Sequence, residues 1–473
     1  MTEAITGEEW KQLDEAGAGY DAAAHGPDLE AARCRIRRIR MCDVELVVRD
    51  REGRPLPGLR LDIEQTRSAF PWGDQQWELS TLQRHGHGGS DRVRHYTRRI
   101  TDCLNAANCL CYWSERCQND GPKSEEFQGQ PQPEVFADQV DWARANGLIA
   151  KGHPIFWPVP KGIPDWVKRY PYETQLVFLE ARVRSLVARF KGRVQIWDVV
   201  NEPMWEPALK NLASRHWPHL EDITAITEYI VPVLRWAREE DPDACYVIND
   251  YGMETDAPGA DMRSKDGTQV TARSQRERFK ELFRRLRDLG SPADALGMQS
   301  HTGGWISPAH QNDILDSFAE AGTPLHYTEF WASTGHLDKA GIEAKRIAQM
   351  KAEYVANIIT VAYAHPAVEA FFFWGGITGE LGFRSDHNSA GLPTSSHNPS
   401  PTYERVRQLL RNEWWTRETV TTDGEGRVRV RCFHGDHAAR YRLAGGATAA
   451  ATFTADPRHS GAITLTAHRP SLA

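Results

Sequence analysis

Two short stretches carry side chains that could do chemistry. "VQIWDVVNEPMW" (194–205) runs through Val194, Ile196, Val199 and Val200 to end on Asn201 and Glu202. "PLHYTEF" (324–330) runs through apolar residues to Glu329. Both runs read as strands buried on two faces, as a parallel sheet requires. Glutamate is depleted in strands and seldom buried without a partner, so a glutamate closing such a strand points to a site at the sheet's end. Two of them facing a cleft rich in Trp, Asn and His would suit cleavage of a glycosidic bond. One carboxyl would serve as acid and base, and the other as nucleophile, about 5–5.5 Å apart in a retaining pair.

The elements that must hold them recur along the middle of the chain. "SAFPWG", "DCLNAANCLCYW", "GLIAKGHPIFW", "VQIWDVVNE", "ACYVIND", "DALGMQSH", "PLHYTEF" and "EAFFFWGG" are short apolar runs. Amphipathic helical stretches such as "TQLVFLEARVRSLVARFKG" and "QRERFKELFRRLRDLG" separate them. Strands alternating with helices over 68–412 predict a (β/α)8 TIM barrel of the α/β class. An open doubly wound sheet would place a Gly-rich turn after its first strand, and "FPWGDQQW" is not one. In a barrel the residues ending each run meet on one rim: Trp72, Trp113, His153 and Trp157, Asn201 and Glu202, Asn249 and Asp250, Gln299 and His301, Glu329, Trp374.

The two ends differ from this middle. Residues 1–33 read as a polar leader, and 34–67 as a β-hairpin built from "IRRIRMCDVELVVRD" and "LRLDIEQT" around the turn "REGRPLPG". Residues 413–473 alternate in the same way, with Asp-Gly and Gly-Gly turns. The expectation is a small accessory β-sandwich formed by both ends together.

Composition narrows the class further. The chain has 473 residues, 40% of them apolar, with 16 Trp and a formal charge of −7. That balance speaks against nucleic acid or an anionic membrane as the main partner, and no stretch approaches the ~20 apolar residues of a membrane span. The N-terminal residues lack the basic and apolar segments of a secretory signal, so a cytoplasmic location with eight reduced Cys is expected. Cys103, Cys109, Cys111 and Cys117 cluster, but not at the spacing of a zinc site, and no metal or cofactor is expected. The sequence does not define an oligomeric state.

The motifs resemble glycoside hydrolase family 10, known for endo-β-1,4-xylanases. "WDVVNEP" is similar to that family's acid/base motif and "HYTEF" to its nucleophile strand. "GHPIFWP" with "IPDW", "VINDYG", "GMQSH", "FFFWGG" and "PSPTYERV" resemble its third, fifth, sixth and eighth strands and last helix. The resemblance implies Glu202 as acid/base and Glu329 as nucleophile. It implies Asn201 on the sugar 2-hydroxyl, His301 on the nucleophile, His153 on a sugar hydroxyl and Trp374 as an apolar wall. Trp157, Gln299, Trp113 and Tyr112 would join the substrate site, while Asp198, Asn249 and Asp250 would support it from behind.

The family pattern breaks at the second strand. A Glu-Asn pair and a Lys before a Trp normally grip the sugar on the non-reducing side; "NAANCLCYW" puts Asn108, Cys109 and Tyr112 there. Trp157–Pro158 likewise stands where the family has Trp-His. Retained chemistry on an altered substrate is the expectation, with 74–95 and 376–400 as loops reshaping the cleft. Two alternatives share the barrel: a metal-dependent hydrolase using His85 and His87 with His153, His301 and Asp250, and a non-catalytic carbohydrate-binding protein.

Overall fold

In the computed structural model, residues 25–113, 131–205, 209, 223–254, 262–263, 267, 269–302, 305–339, 341–374, 400–442 and 448–466 are described. Eight parallel strands close into a barrel: Trp72–Gln75, Ala106–Leu110, Ile149–His153, Ile196–Asn201, Cys245–Asp250, Ala295–Met298, Leu325–Ala332 and Val368–Phe373. Closure comes from two pairings, Ala295–Met298 with Leu325–Ala332 and Val368–Phe373 with Trp72–Gln75. The fold is the (β/α)8 barrel that the alternating pattern predicts.

Side chains fill the barrel in layers, as they must in an eight-stranded closure. Ala106, Ile196, Val247, Ala295, Ala370 and Phe372 make the floor. Gly73 leaves room for Phe372, whose ring a Cβ at that position would meet at 2.3 Å. Above the floor the interior turns polar: Asn108, Lys151, Asp198 and Thr328 are wholly buried. The Lys151 ammonium sits 5.0 Å over the Phe372 ring, at the junction of the two layers.

Helices pack outside. Tyr172–Phe190 follows the third strand and buries Leu179, Val183, Leu186 and Val187, spaced by three and four. Residues 74–95, expected as a loop, instead hold helix Trp77–Arg84 and the start of Asp91–Cys103, which Ser90 caps by accepting from the Val93 amide. Residues 376–399 of the other expected loop lie outside the described residues, as do residues 1–24 of the leader.

Both chain ends build a second, smaller core. Met41–Arg49 lies between Arg427–Phe433 (antiparallel) and Ile463–Thr466 (parallel). Arg60–Ser68 lies between Arg417–Thr421 and Gly435–Arg442, and the latter pairs with Thr448–Ala455. Val44, Leu46 and Val48 of the first sheet bury against Leu61, Ile63, Tyr441 and Phe453 of the second. Two expectations are corrected here. The N-terminal strands do not form a hairpin with each other; each enters a different sheet. The connection 50–59 turns back on Met41–Arg49 as far as an antiparallel bridge from Arg49 to Pro55 and then crosses to the other sheet. Residues 34–39 are not strand either. They end the helix His25–Ile39, because Leu29, Ala32 and Ile36 share a helical face that packs against Ala344–Ala364.

Arg40 joins the two cores. Its guanidinium donates to the carbonyls of Tyr363, His365 and Val368 at 2.8, 2.9 and 2.7 Å and lies between the rings of Phe70 and Tyr363.

Candidate active site

The fourth strand does not alternate evenly. Its register against the fifth strand shifts between Asp198 and Val200, the signature of a bulge. Val199 and Val200 therefore both enter the outer core, and Asn201 turns inward as Asp198 does. Glu202 follows with φ of +54°, a conformation seldom taken outside glycine, which turns the chain sharply off the strand. Its amide donates to the Asn249 carbonyl at 2.6 Å. Asp250 pins the next turn, accepting from the Met204 amide at 2.9 Å and the Tyr251 amide at 2.8 Å.

The seventh strand breaks step in the same place. Its register against the eighth shifts between Tyr327 and Phe330. As a result two consecutive residues, Thr328 and Glu329, both reach Asn249 from inside the barrel. Strict alternation would put one of them outside.

A chain of amides connects the two carboxylates. Gln299 Nε2 donates to Glu202 Oε1 at 2.8 Å and to Asn201 Oδ1 at 3.3 Å. Asn249 Nδ2 donates to Asn201 Oδ1 and to Glu329 Oε1, both at 2.8 Å. Trp157 Nε1 donates to Glu202 Oε2 at 2.8 Å. His301 Nε2 lies 3.1 Å from Glu329 Oε2, and His153 Nε2 lies 3.7 Å from Glu329 Oε1. The other nitrogen of His153, Nδ1, meets Asp198 Oδ2 at 2.6 Å, and Lys151 Nζ bonds that same oxygen.

This environment drives the two glutamates apart. Burial pushes the Glu202 carboxyl above the ordinary range, and the negative charge of Glu329 adds to that, more than offsetting the bonds from Gln299 and Trp157. Burial would push Glu329 up too, but the imidazoles of His153 and His301 outweigh it and hold Glu329 below its usual value. Asp198 is also lowered, because Lys151 and His153 overcome its burial. Asp250 is raised well above the carboxylate range, first by burial and then by Glu202. A carboxyl pushed above its usual range beside one held below it is the division of labour that acid-assisted displacement needs.

Of the residues singled out in the sequence, Glu202, Glu329, Asn201, His153, Gln299, His301, Asn249, Asp198 and Asp250 are brought into one network. Trp374 faces His153, ring centroids 5.1 Å apart. Tyr112 stands edge-on to His153 at 5.6 Å and tilted on Trp157 at 5.5 Å. Trp113 goes elsewhere: the chain passes from Tyr112 to Trp113 with opposite facing, so Trp113 enters the main core, with the Arg182 guanidinium 5.4 Å over its ring. Trp72 opens the first strand rather than ending it, and packs beside Phe70, Tyr363 and Trp414. His85 and His87 are exposed at the turn between two helices, away from this network. No group of three His, Cys, Asp or Glu able to hold a metal occurs among the described residues. Cys103, Cys109 and Cys111 are buried thiols, those of Cys103 and Cys111 pushed up to about 12 by burial; Cys117 lies outside the described residues.

Two contributors escaped the sequence reading. Lys151, two residues before His153 and so on the same strand face, had a signal in that spacing. Glu254 had none. It accepts from the Met253 amide at 2.8 Å and the Ser300 amide at 3.0 Å, holding Ser300 at φ of +56° between Gln299 and His301.

Comparison with known proteins supplies the class to which this barrel belongs. The chain belongs to glycosyl hydrolase family 10, which it matches over residues 123–409. It is a glycoside hydrolase. It is 30% identical over 281 residues to endo-1,4-beta-xylanase B of Thermotoga neapolitana, covering 57% of this chain and 72% of that one. It is 26% identical over 418 residues to the anti-sigma-I factor RsgI6 of Acetivibrio thermocellus, covering 86% of this chain and 46% of that one. A beta-1,4-xylanase of Dictyoglomus thermophilum is 32% identical over 206 residues, 42% of this chain and 52% of its own length. The chain thus spans only about half the length of the second and third of these. Among solved structures, xylanase 10B of Thermotoga maritima superposes with a TM-score of 0.51 at 23% identity, over 73% of this chain and 96% of that one. The family 10 protein of Paenibacillus barcinonensis gives 0.53 at 20%, over 72% and 94%. At these identities the two structures speak for the fold.

Proposed function

We propose that this protein hydrolyses a β-glycosidic bond with retention of configuration, through a covalent intermediate on Glu329. The observation that carries the reading is the pair of strand-end glutamates joined through Asn249, Asn201 and Gln299, the Glu202 carboxyl pushed up and Glu329 held down by their surroundings.

In the first step the Glu329 carboxylate attacks the anomeric carbon. The bond from that carbon to the leaving oxygen breaks, and Glu202 gives its proton to that oxygen. Glu329, now esterified, no longer repels a negative neighbour, so Glu202 can hold its charge and act as a base. In the second step water attacks the anomeric carbon, Glu202 takes its proton, and Glu329 departs as a carboxylate. Asn201 supports both steps by bonding the 2-hydroxyl of the sugar; its Oδ1 is already held by Asn249 and Gln299, which leaves the amide hydrogens for substrate. Kinship with proteins named xylanases makes a xyloside the first substrate to try.

The test is the anomer first released. Proton NMR of an aryl β-xyloside digest should show the β-product before mutarotation, and a 2-fluoro xyloside should add its mass to the peptide carrying Glu329. An α-product, or a label on another residue, would overturn the reading.

A further inference from the structure

We infer that the glycone side of this cleft accepts a single sugar, so that the enzyme removes terminal residues instead of cutting within a chain; this rests on the glycosidase reading above. His153 fixes which side is meant. It is the imidazole beside Glu329 that packs against the aromatic wall, with Tyr112 against it at 5.6 Å and Trp374 at 5.1 Å. The wall therefore bounds the sugar that Glu329 would carry.

The wall is buried and largely apolar. Leu110, Tyr112, Trp157 and Val159 form a cluster of their own, each no more than 5% exposed, with Trp374 packed on it. Aromatic rings often serve as platforms for sugars, but these have little face to offer. Trp157 gives its N–H to Glu202, tilts against Tyr112 and carries the Lys161 ammonium 4.4 Å above its ring. The side chains at the tip of the second strand are also turned inside the protein, where Asn108 Oδ1 and Gln76 Oε1 have no hydrogen-bond partner among the described residues. Asn108 is wholly buried and its amide points to the Thr328 carbonyl at 3.4 Å; Cys109 is wholly buried, 3.7 Å from Gln76 Nε2. A second sugar placed here would lose water from its hydroxyls and find few partners among the described residues of this wall.

The experiment compares kcat/KM for aryl β-xyloside and aryl β-xylobioside with the same leaving group. Aryl release from the disaccharide more than about threefold slower is expected; a value within about threefold, or any preference for the disaccharide, would overturn the inference. Tyr112→Ala should shift the ratio at least fivefold towards the disaccharide. If neither compound turns over, the glycosidase reading falls by itself, and calorimetry with xylose and xylobiose decides this inference: equal affinities support it, while tighter binding of xylobiose, or of neither, overturns it.

Discussion

Replacing Glu202 by alanine separates acid catalysis from everything else the site does. Alanine is a cleaner choice than glutamine, because both oxygens of Glu202 accept from N–H groups, Oε1 from Gln299 and Oε2 from Trp157. A glutamine would set its own N–H₂ against one of those donors. In the alanine variant Gln299 keeps its second acceptor, Asn201 Oδ1, so only the Trp157 N–H loses its partner. Stability should fall by about 1–3 kcal/mol for one orphaned buried donor, offset in part by removing a carboxyl that Glu329 opposes. General acid catalysis contributes about 10²–10⁴ in rate, or roughly 2.7–5.5 kcal/mol of barrier. That loss should appear in full on an alkyl or plain phenyl glycoside. On a dinitrophenyl glycoside, whose leaving group departs unprotonated, the first step should slow less than about tenfold, since it needs no proton. The pH profile gives a second reading. Activity on unactivated substrates should fade as pH rises through the raised pKa of Glu202, and this alkaline limb should be missing from the variant. Equal losses on activated and unactivated glycosides, or an unchanged alkaline limb, would refute the assignment of Glu202 as acid.

Trp157→Phe removes a donor that favours the ionised form of Glu202, so the alkaline limb of kcat/KM should move to higher pH; a limb that stays or moves down would count against the Trp157–Glu202 bond. Lys151→Met takes a buried cation from Asp198 and should cost about 3–5 kcal/mol in urea unfolding, against less than about 1 kcal/mol if the pair carries no weight. The stability that Asp198 contributes through its lowered pKa is present above the ordinary carboxylate value and lost as pH falls through the folded one, so the wild-type and variant curves should converge in acid. Lys351 is buried, with no hydrogen-bond partner for Nζ among the described residues, and burial lowers its pKa from 10.5 to about 7. The unfolded chain therefore binds the extra proton between those values, and stability should rise with pH across that window. Lys351→Met should flatten the rise and stabilise the protein at neutral pH by several kcal/mol, the full shift being worth roughly 5. A variant no more stable than wild type would refute this.

Most of the barrel was legible because its signal is periodic. Apolar runs of strand length separated by helices with spacings of three and four leave few other folds, and polar residues closing the runs marked the rim. The ends were harder. "RCRIRRIR" satisfies both a two-residue and a helical repeat, and only packing against Ala344–Ala364 selects the helix. A strand–turn–strand pattern also reads alike whether its strands pair or divide between two sheets, since the partners of Met41–Arg49 lie almost 400 residues away. The facing of Tyr112 and Trp113 was hidden for a similar reason: adjacent residues past a strand's end carry no label of which one enters the cleft.

The deepest gap lies in the aim of the glutamates themselves. Read with strict alternation, Asn201 faces away from Asp198, and Glu329 away from Thr328. In the folded protein Asp198 and Asn201 both turn inward, and Thr328 and Glu329 share Asn249, because the fourth strand breaks register between Asp198 and Val200 and the seventh between Tyr327 and Phe330. A register break costs ladder hydrogen bonds, and Glu202 adds a left-handed backbone to that cost. Neither expense is needed for the barrel to close, since its six other strand pairings run without a register break. What the breaks do achieve is convergence: two acids from strands on different sides of the rim are delivered to one line of amides. The same irregularities that make the motif hard to read from alternation are what let it act as a pair.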